Sequence, residues 1–547
     1  MKLQLLTLLA CGAVSALTPL QAQTSELPQR VAAGDVSATY AVLWARAASA
    51  GTVTFRVADN PQFTNATVRS IAVTDPTLPA KIYLRGLTSN TVYSYEVTAP
   101  NGGQDRGTFK TASVSNELQA LRFGVSGDSR GDYMPAGSIS NAATSSLDFF
   151  VLLGDSIYAD VASPLVPVAQ CTTLADFRAK YAEVTSAFNG VNGLGDLRRS
   201  TAIWATIDDH EVTNDFAGGA APATDSRFDA TGNFINETNL FRNGMRAFTE
   251  YMPTLRMSYG NTGDVRTAFK RKLYRKQRYA STAELFVLDA RSFRDQALPT
   301  VTNPNDPAQV GAFLVGSFNP ARTLLGRAQV DELKADLLAS QQAGVKWKFV
   351  MVPEPIQNLG VFAASDRYEG YAAERSEILA HIAAQGIQNV VFVAADIHGT
   401  LINNLTYQVG PGQAQLPTSA FEVTTGSISY NQPFGPTVVG IAAALGLITP
   451  TDFATYQALP TPFKDVYVQQ LVNAQLSPLG YDQVGLSGSP VNATLTAGGW
   501  TATHTFGWTE FEIAAGTGDL IVTTWGVDPA NTTASPTVVS RFSVVPQ

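Results

Sequence analysis

The chain reads as an amino-terminal β-sandwich followed by a larger α/β layered domain, and three observations predict it. Short strands with one apolar face fill residues from about Leu27 to Ala112. From Leu121 onward, apolar runs alternate with helical patterns, which is the signature of a layered α/β domain. Four Asp-rich segments stand at the ends of apolar runs: Val125–Arg130, Phe149–Asp160, Ile203–Glu211 and Val390–His398. Ligands gather beyond the carboxyl ends of strands in such sheets.

The first 22 residues have the layout of a Sec-type signal peptide: Lys2, an apolar stretch from Leu3 to Leu17, then Leu20-Gln21-Ala22 before Gln23. The stretch is too short to span a bilayer. The apolar run before Cys11 is short for a lipoprotein signal, so export to the periplasm or medium without a lipid anchor is expected. Loss of the leader would leave Cys171 as the one thiol, an inert small side chain, with stability coming from core and metal rather than a disulfide. The formal charge of −8 is dispersed, and no basic aromatic stripe suggests a nucleic-acid partner. No transmembrane segment is expected.

In the sandwich, residues 27–112, Val53, Phe55 and Val57 alternate, as do Tyr93, Tyr95 and Val97. Gly86–Val97 resembles the tyrosine-corner strand of fibronectin type III and immunoglobulin-like sandwiches. A polar connector, Ser113 to Glu117, leads to the second domain, residues 119–547. There Val330, Leu333, Leu337 and Leu338 share a helical face, as do Ile378, Leu379 and Ile382. Thr282–Arg291 and Trp347–Val352 read as strands. Beyond Gly399, Asn431–Val439 and Gly485–Gly499 read as loops, with strands near Thr505–Ile513 and Asp519–Thr524.

Carboxylates packed together repel and would take up protons unless a cation neutralises them. One Gly-Asp alone is usually a turn; four such segments that also hold two of the chain's four His point to a two-metal site. Asp128, Asp155, Tyr158 and His398 suit a hard trivalent ion, since a phenolate needs a strong Lewis acid to displace its proton. Asp155 would bridge to a second cation held by Asp209 and Asp396. That all-oxygen set favours Ca²⁺, Mg²⁺ or Mn²⁺ over zinc. Two cations sharing a carboxylate suit in-line attack of hydroxide on phosphorus. His210 is placed to donate to phosphate or protonate the leaving group. Arg130 and Arg291 are candidate phosphate clamps. Asp289 could equally buttress Arg291, Tyr158 could simply pack, and His381 and His504 read as structural.

The ordered segments GDSR, GDSIYAD, DDHEVTNDFAGG and ADIH resemble the PhoD-like alkaline phosphatases (alkaline phosphatase D) of the metallophosphoesterase superfamily. The resemblance extends to Arg30–Ala47, Phe286–Asp295, Leu324–Leu337 and Asp366–Arg375. It implies a four-layer αββα catalytic domain, phosphomonoesterase or phosphodiesterase activity on small phosphate esters, and a site of Fe³⁺ with Ca²⁺. It also implies the bridging role of Asp155 and an added oxygen from Asn214. Asp128 stands where some family members place Cys. Pro353 and Glu354 follow the Trp347–Val352 strand where purple acid phosphatases have a His, and the leader lacks twin arginines. A broad phosphomonoesterase is the leading expectation, a phosphodiesterase the alternative, and a non-catalytic surface-binding protein the reading from another class.

Overall fold

A computed structural model describes residues 26–531 and 533–547. The expected leader and Cys11 lie outside the described residues. Seven strands come first: β1 (Val31–Gly34), β2 (Tyr40–Ala45), β3 (Gly51–Ala58), β4 (Thr67–Val73), β5 (Ala80–Arg85), β6 (Val92–Thr98) and β7 (Gln104–Lys110). They make two layers, β4-β3-β6-β7 and β1-β2-β5. Val53, Phe55, Tyr95 and Val97 are buried between them, as their alternation requires. The Thr88 amide donates to Tyr93 Oη at 3.0 Å, the hydrogen bond of a tyrosine corner.

The larger domain packs two sheets face to face. In the first, β8 (Leu121–Ser129), β9 (Phe149–Leu153) and β10 (Ala202–Thr206) run parallel. The second contains β11 (Arg275–Tyr279), β12 (Ala283–Val287), β13 (Trp347–Met351), β14 (Val390–Ala394), β15 (Thr400–Tyr407) and β16 (Leu416–Thr424), in the order β11-β12-β13-β14-β16-β15. Strand β17 (Ser427–Ser429) returns to pair with β8. At the carboxyl end, β18 (Ala493–Gly498), β20 (Phe506–Ile513), β21 (Leu520–Val527) and β22 (Thr537–Val544) extend the first sheet beyond β8, and β19 (Thr501–Ala502) caps the second beside β15.

Both faces of the central strands are buried, so the runs are apolar throughout rather than alternating. Phe149, Val151 and Leu153 of β9 point between the sheets with Phe123, Phe349, Met351, Val391 and Phe511. Phe150 and Leu152 point outward against the helices Leu174–Val184, Gly193–Ser200 and Asn239–Tyr251. On the other side, Phe286, Val350 and Phe392 meet the helices Arg327–Gln342 and Ala372–Ala384 through Val330, Leu333, Leu337, Ile378, Leu379 and Ile382. The layers therefore run α, β, β, α.

The two domains share a sheet. Strand β1 pairs parallel with β10, Gly34 opposite Ile203, so β1-β2-β5 continues the first sheet of the larger domain. Buried Asp35 accepts from the Leu255 amide at 2.6 Å and from Arg275 at 3.4 Å. Trp44 Nε1 donates to the Glu250 carbonyl.

Two stretches read as loops carry regular structure. Residues Phe434–Ala444 form a helix: Pro433 is its N-cap and Pro436 sits in its first turn, where a missing N–H costs nothing. Within the other, β18 pairs with β22 at the sheet edge. Its small and polar residues suit a strand largely open to water.

Candidate metal centre

The parallel strands β8, β9, β10 and β14 deliver the four Asp-rich segments to one end of the molecule. Asp128, Asp155, Asp396 and His398 all take left-handed backbone conformations, with φ of 59°, 49°, 65° and 57°. Non-glycine residues adopt this region at a cost, and such strain collects at functional sites. Gly154, at φ 85°, makes the turn before Asp155; a Cβ there would lie 2.6 Å from that of Asp208. Only glycine fits.

Two groups of potential ligands share Asp155. Side-chain atoms of Asp128, Asp155 and His398 lie within 4.8 Å of one another, and so do those of Asp155, Asp209 and His210. His398 Nε2 is 3.4 Å from Asp128 and 3.2 Å from Tyr158 Oη. Both carboxylate oxygens of Asp128 and Oδ1 of Asp209 are buried without a hydrogen-bond partner. Burial and the neighbouring carboxylates push Asp155 and Asp396 well above the usual carboxylate range, and burial with Asp155 and Asp128 raises the Tyr158 phenol. Orphaned, mutually repelling oxygens are costly unless a cation offsets them. The donor set fits metal ions. Asp396 stands outside both groups of three, though Asp208, Asp209 and Asp128 are among the charges that raise it.

Around these ligands is a shell that sequence reasoning missed. Glu211, fully buried, accepts from the amides of Asp155, Ser156 and Asp208 at 3.1, 2.6 and 2.8 Å. It thereby clamps the end of β9 to the end of β10. Burial raises its carboxyl to about 8. Asp160 holds His210 through Nδ1 at 2.6 Å, leaving Nε2 4.0 Å from Asp155. Burial opposes charge on His210, but Asp209 and Asp160 outweigh it and lift the imidazole to about 9. Tyr430 packs on His398 with ring centroids 3.7 Å apart. Only Asp160 and Glu211 lay inside motifs visible in the chain.

The two arginines separate. Arg130 lies beside Tyr133, Tyr158 and Tyr430; Asp132 holds its Nε and Nη2 at 3.0 and 2.7 Å. Arg291 does not match the expected phosphate clamp. It is fully buried and paired with Asp208 at 2.7 Å, Asp366 at 2.8 Å and Glu354. With Arg294 bound to Glu354 and Asp366, it forms a charge network behind Asp209. Glu354 is thus an ion-pair partner within the core. Asn214 is exposed, and the contacts that hold it run through its backbone, to Asp160 and Arg227. Asp289 accepts from the amides of Arg291 and Ser292. His504 is buried between Tyr456 and Asp465, His381 bonds the Lys334 carbonyl, and burial raises the Cys171 thiol to about 12.

A two-sheet αββα scaffold with carboxylates and imidazoles at its strand ends defines a candidate metal centre. Comparison with known proteins narrows this. The family model for PhoD-like phosphatases matches residues 129–448, and the model for the PhoD-like phosphatase N-terminal domain matches residues 13–113. The chain belongs to the PhoD-like phosphatase family. It is 26% identical over 413 residues to alkaline phosphatase D of Bacillus subtilis (strain 168), a match covering 69% of this chain. The chain spans 65% of the length of that curated relative. A solved structure of PhoD superposes with a TM-score of 0.68 at 19% identity, covering 94% of this chain and 90% of that one. Purple acid phosphatase PPD1 from yellow lupin (Lupinus luteus) seeds gives 0.50 at 10% identity, covering 94% and 73%. These two likenesses bear on fold.

Proposed function

We propose that the protein is an exported, metal-dependent hydrolase of phosphoric esters, acting chiefly on phosphomonoesters. The observation that carries this is the pair of ligand groups hinged on Asp155, with buried carboxylate oxygens that nothing among the described residues satisfies. Asp128, Asp155, Tyr158 and His398 would hold a trivalent ion, which we assign as Fe³⁺. Asp155, Asp209 and Asp396, with Asn214, would hold a divalent one, assigned as Ca²⁺ with Mn²⁺ or Mg²⁺ as substitutes. When bound, the cations supply Lewis acidity, offsetting phosphoryl charge and lowering the pKa of water.

The chain's own groups do the rest. Asp160 fixes the imidazole of His210 through Nδ1. Nε2 is then a proton donor to the leaving-group oxygen or a phosphoryl oxygen. Arg130 keeps Nη1 free of Asp132, and that donor suits a phosphate oxygen. Glu211 and the Arg291–Arg294 network hold the ligand-bearing turns in place. Domain limits of 27–112 and 119–547 are part of the proposal, as is export: no helix among the described residues is long and apolar enough to cross a membrane.

The test is turnover of a chromogenic phosphomonoester and its matching diester, with metals quantified on the same sample. Faster monoester cleavage by metal-loaded protein supports the reading. Preference for the diester would make it a phosphodiesterase, and inertness toward both would favour a binding protein.

A further inference from the structure

Away from the metal centre, a cavity of about 680 Å³ opens between the sandwich and the helix Asn239–Tyr251. Its walls carry five cationic side chains, Arg242, Arg246, Arg256, Lys270 and Arg271, against one carboxylate, Glu250. The whole chain has a formal charge of −8, so this is a local reversal of sign. The one carboxylate is already spent: Glu250 binds Arg178 at 2.7 and 2.9 Å and Arg246 at 2.9 Å. Lys270 is paired with Glu237. Arg242, Arg256 and Arg271 have no acidic partner among the described residues.

Arg242, Arg246 and Arg256 are exposed at the mouth of the cavity and Lys270 and Arg271 are half-buried, but its floor is apolar. Phe241, Met245 and Phe293 line the same cavity and are 8%, 6% and 2% exposed. Low-dielectric walls strengthen both the repulsion between the guanidinium groups and their attraction for an anion. Burial, and then the charge of Arg256, depress Arg271 to about 10. On strand β5, Lys81 reaches the Thr249 carbonyl in the cavity wall at 2.5 Å.

We propose that this cavity is a second oxyanion site, separate from the metal centre, that binds a phosphate-bearing small molecule through Arg256 and Arg271. A guanidinium fork matches two phosphoryl oxygens, and the apolar wall suits the body that carries the phosphate. The two sites share a partition: Ser292 and Phe293 line the cavity, while Arg291 just before them faces Asp208 from the other side. The shared chemistry allows two sources, free orthophosphate released by turnover or a further phosphate group on a larger substrate.

Equilibrium dialysis of the metal-loaded full chain with radiolabelled orthophosphate and, separately, methylenediphosphonate reads the stoichiometry. Two sites per chain are expected in the wild type. Arg256→Gln/Arg271→Gln should weaken one of them at least tenfold and leave the other, with phosphomonoester turnover unchanged. The exposed single variant Arg256→Gln gives the same direction where the double variant folds poorly. Orthophosphate filling both sites identifies product as the occupant. If only the bisphosphonate reaches the second site, the occupant is a substrate's additional phosphate. One site in the wild type for both probes, or two undiminished sites in Arg256→Gln, would overturn the proposal.

Discussion

Replacing Arg291 by glutamine separates a core counter-ion from a substrate clamp. The side chain is fully buried, with Asp208 and Asp366 at 2.7 and 2.8 Å, Glu354 in contact and Asp209 at 3.8 Å. Two guanidinium groups, Arg291 and Arg294, face the three carboxylates Asp208, Glu354 and Asp366. Burial raises Glu354 well above its usual range despite both arginines. Arg291→Gln would leave one cation for the same buried carboxylates. Breaking a buried pair by removing one partner costs about 3–5 kcal/mol, a large share of the roughly 5–15 kcal/mol that holds a domain folded. Urea denaturation followed by tryptophan fluorescence should show that loss. The abandoned carboxylates would have folded pKa values above their unfolded ones, so their stability contribution is present at low pH and lost as pH rises. The deficit should accordingly narrow from pH 8 toward pH 5. A variant within about 1 kcal/mol of wild type but with a raised KM would refute the argument and restore Arg291 as a clamp.

Asp155→Asn should strip both metals, abolish turnover and lower the melting temperature, since bound metal stabilises the native state by mass action; full metal content on analysis would remove Asp155 from the bridge. His210→Ala should keep its metals and lose about 10²–10⁴ in kcat for esters with poor leaving groups, less for good ones, with Asp160→Asn showing the same pattern more weakly. An equal loss on both ester types would move His210 from leaving group to phosphate. Tyr158→Phe should bleach the visible charge-transfer band of a ferric phenolate while part of the activity survives. A colourless, iron-free wild type with full activity would mean two divalent cations. Calcium-selective chelation should lower activity, restored better by Ca²⁺ than by Zn²⁺; selective rescue by Zn²⁺ would require a nitrogen or sulfur ligand at the second position.

Much of the frame was legible because it rests on local signals. Apolar runs such as Phe149–Leu153 and Val390–Ala394 are strands buried on both faces, and each is followed within a few residues by candidate ligands, Asp155 after the first and His398 after the second. What escaped depends on partners far apart in sequence. Glu211 looked like one more acid in DDHE, yet its work is to accept three amides, two of them from the turn after β9. Arg291 looked like a clamp because an arginine near a phosphate site is the obvious donor. Its partners Glu354 and Asp366 come from segments that carry no pattern linking them to it. Tyr430 stands just before the Asn431–Val439 stretch that read as loop, in a segment with no motif of its own.

The seam between β1 and β10 joins the first strand of the sandwich to one made only after the whole sandwich. The ribosome delivers Val31–Gly34 early, but that strand cannot complete its pairing until Ala202–Thr206 emerges. Until then the sandwich carries an open edge and the Asp35 carboxylate waits for Leu255 and Arg275, made later still. Open edges invite wrong partners, so the chain carries this hazard until β10 has been made. The same seam makes the sandwich a lateral wall of the strand that delivers Asp209. A chain started at residue 119 would bare that flank of β10, and β1-β2-β5 is better regarded as the outer edge of the eleven-stranded sheet than as an appendage to it.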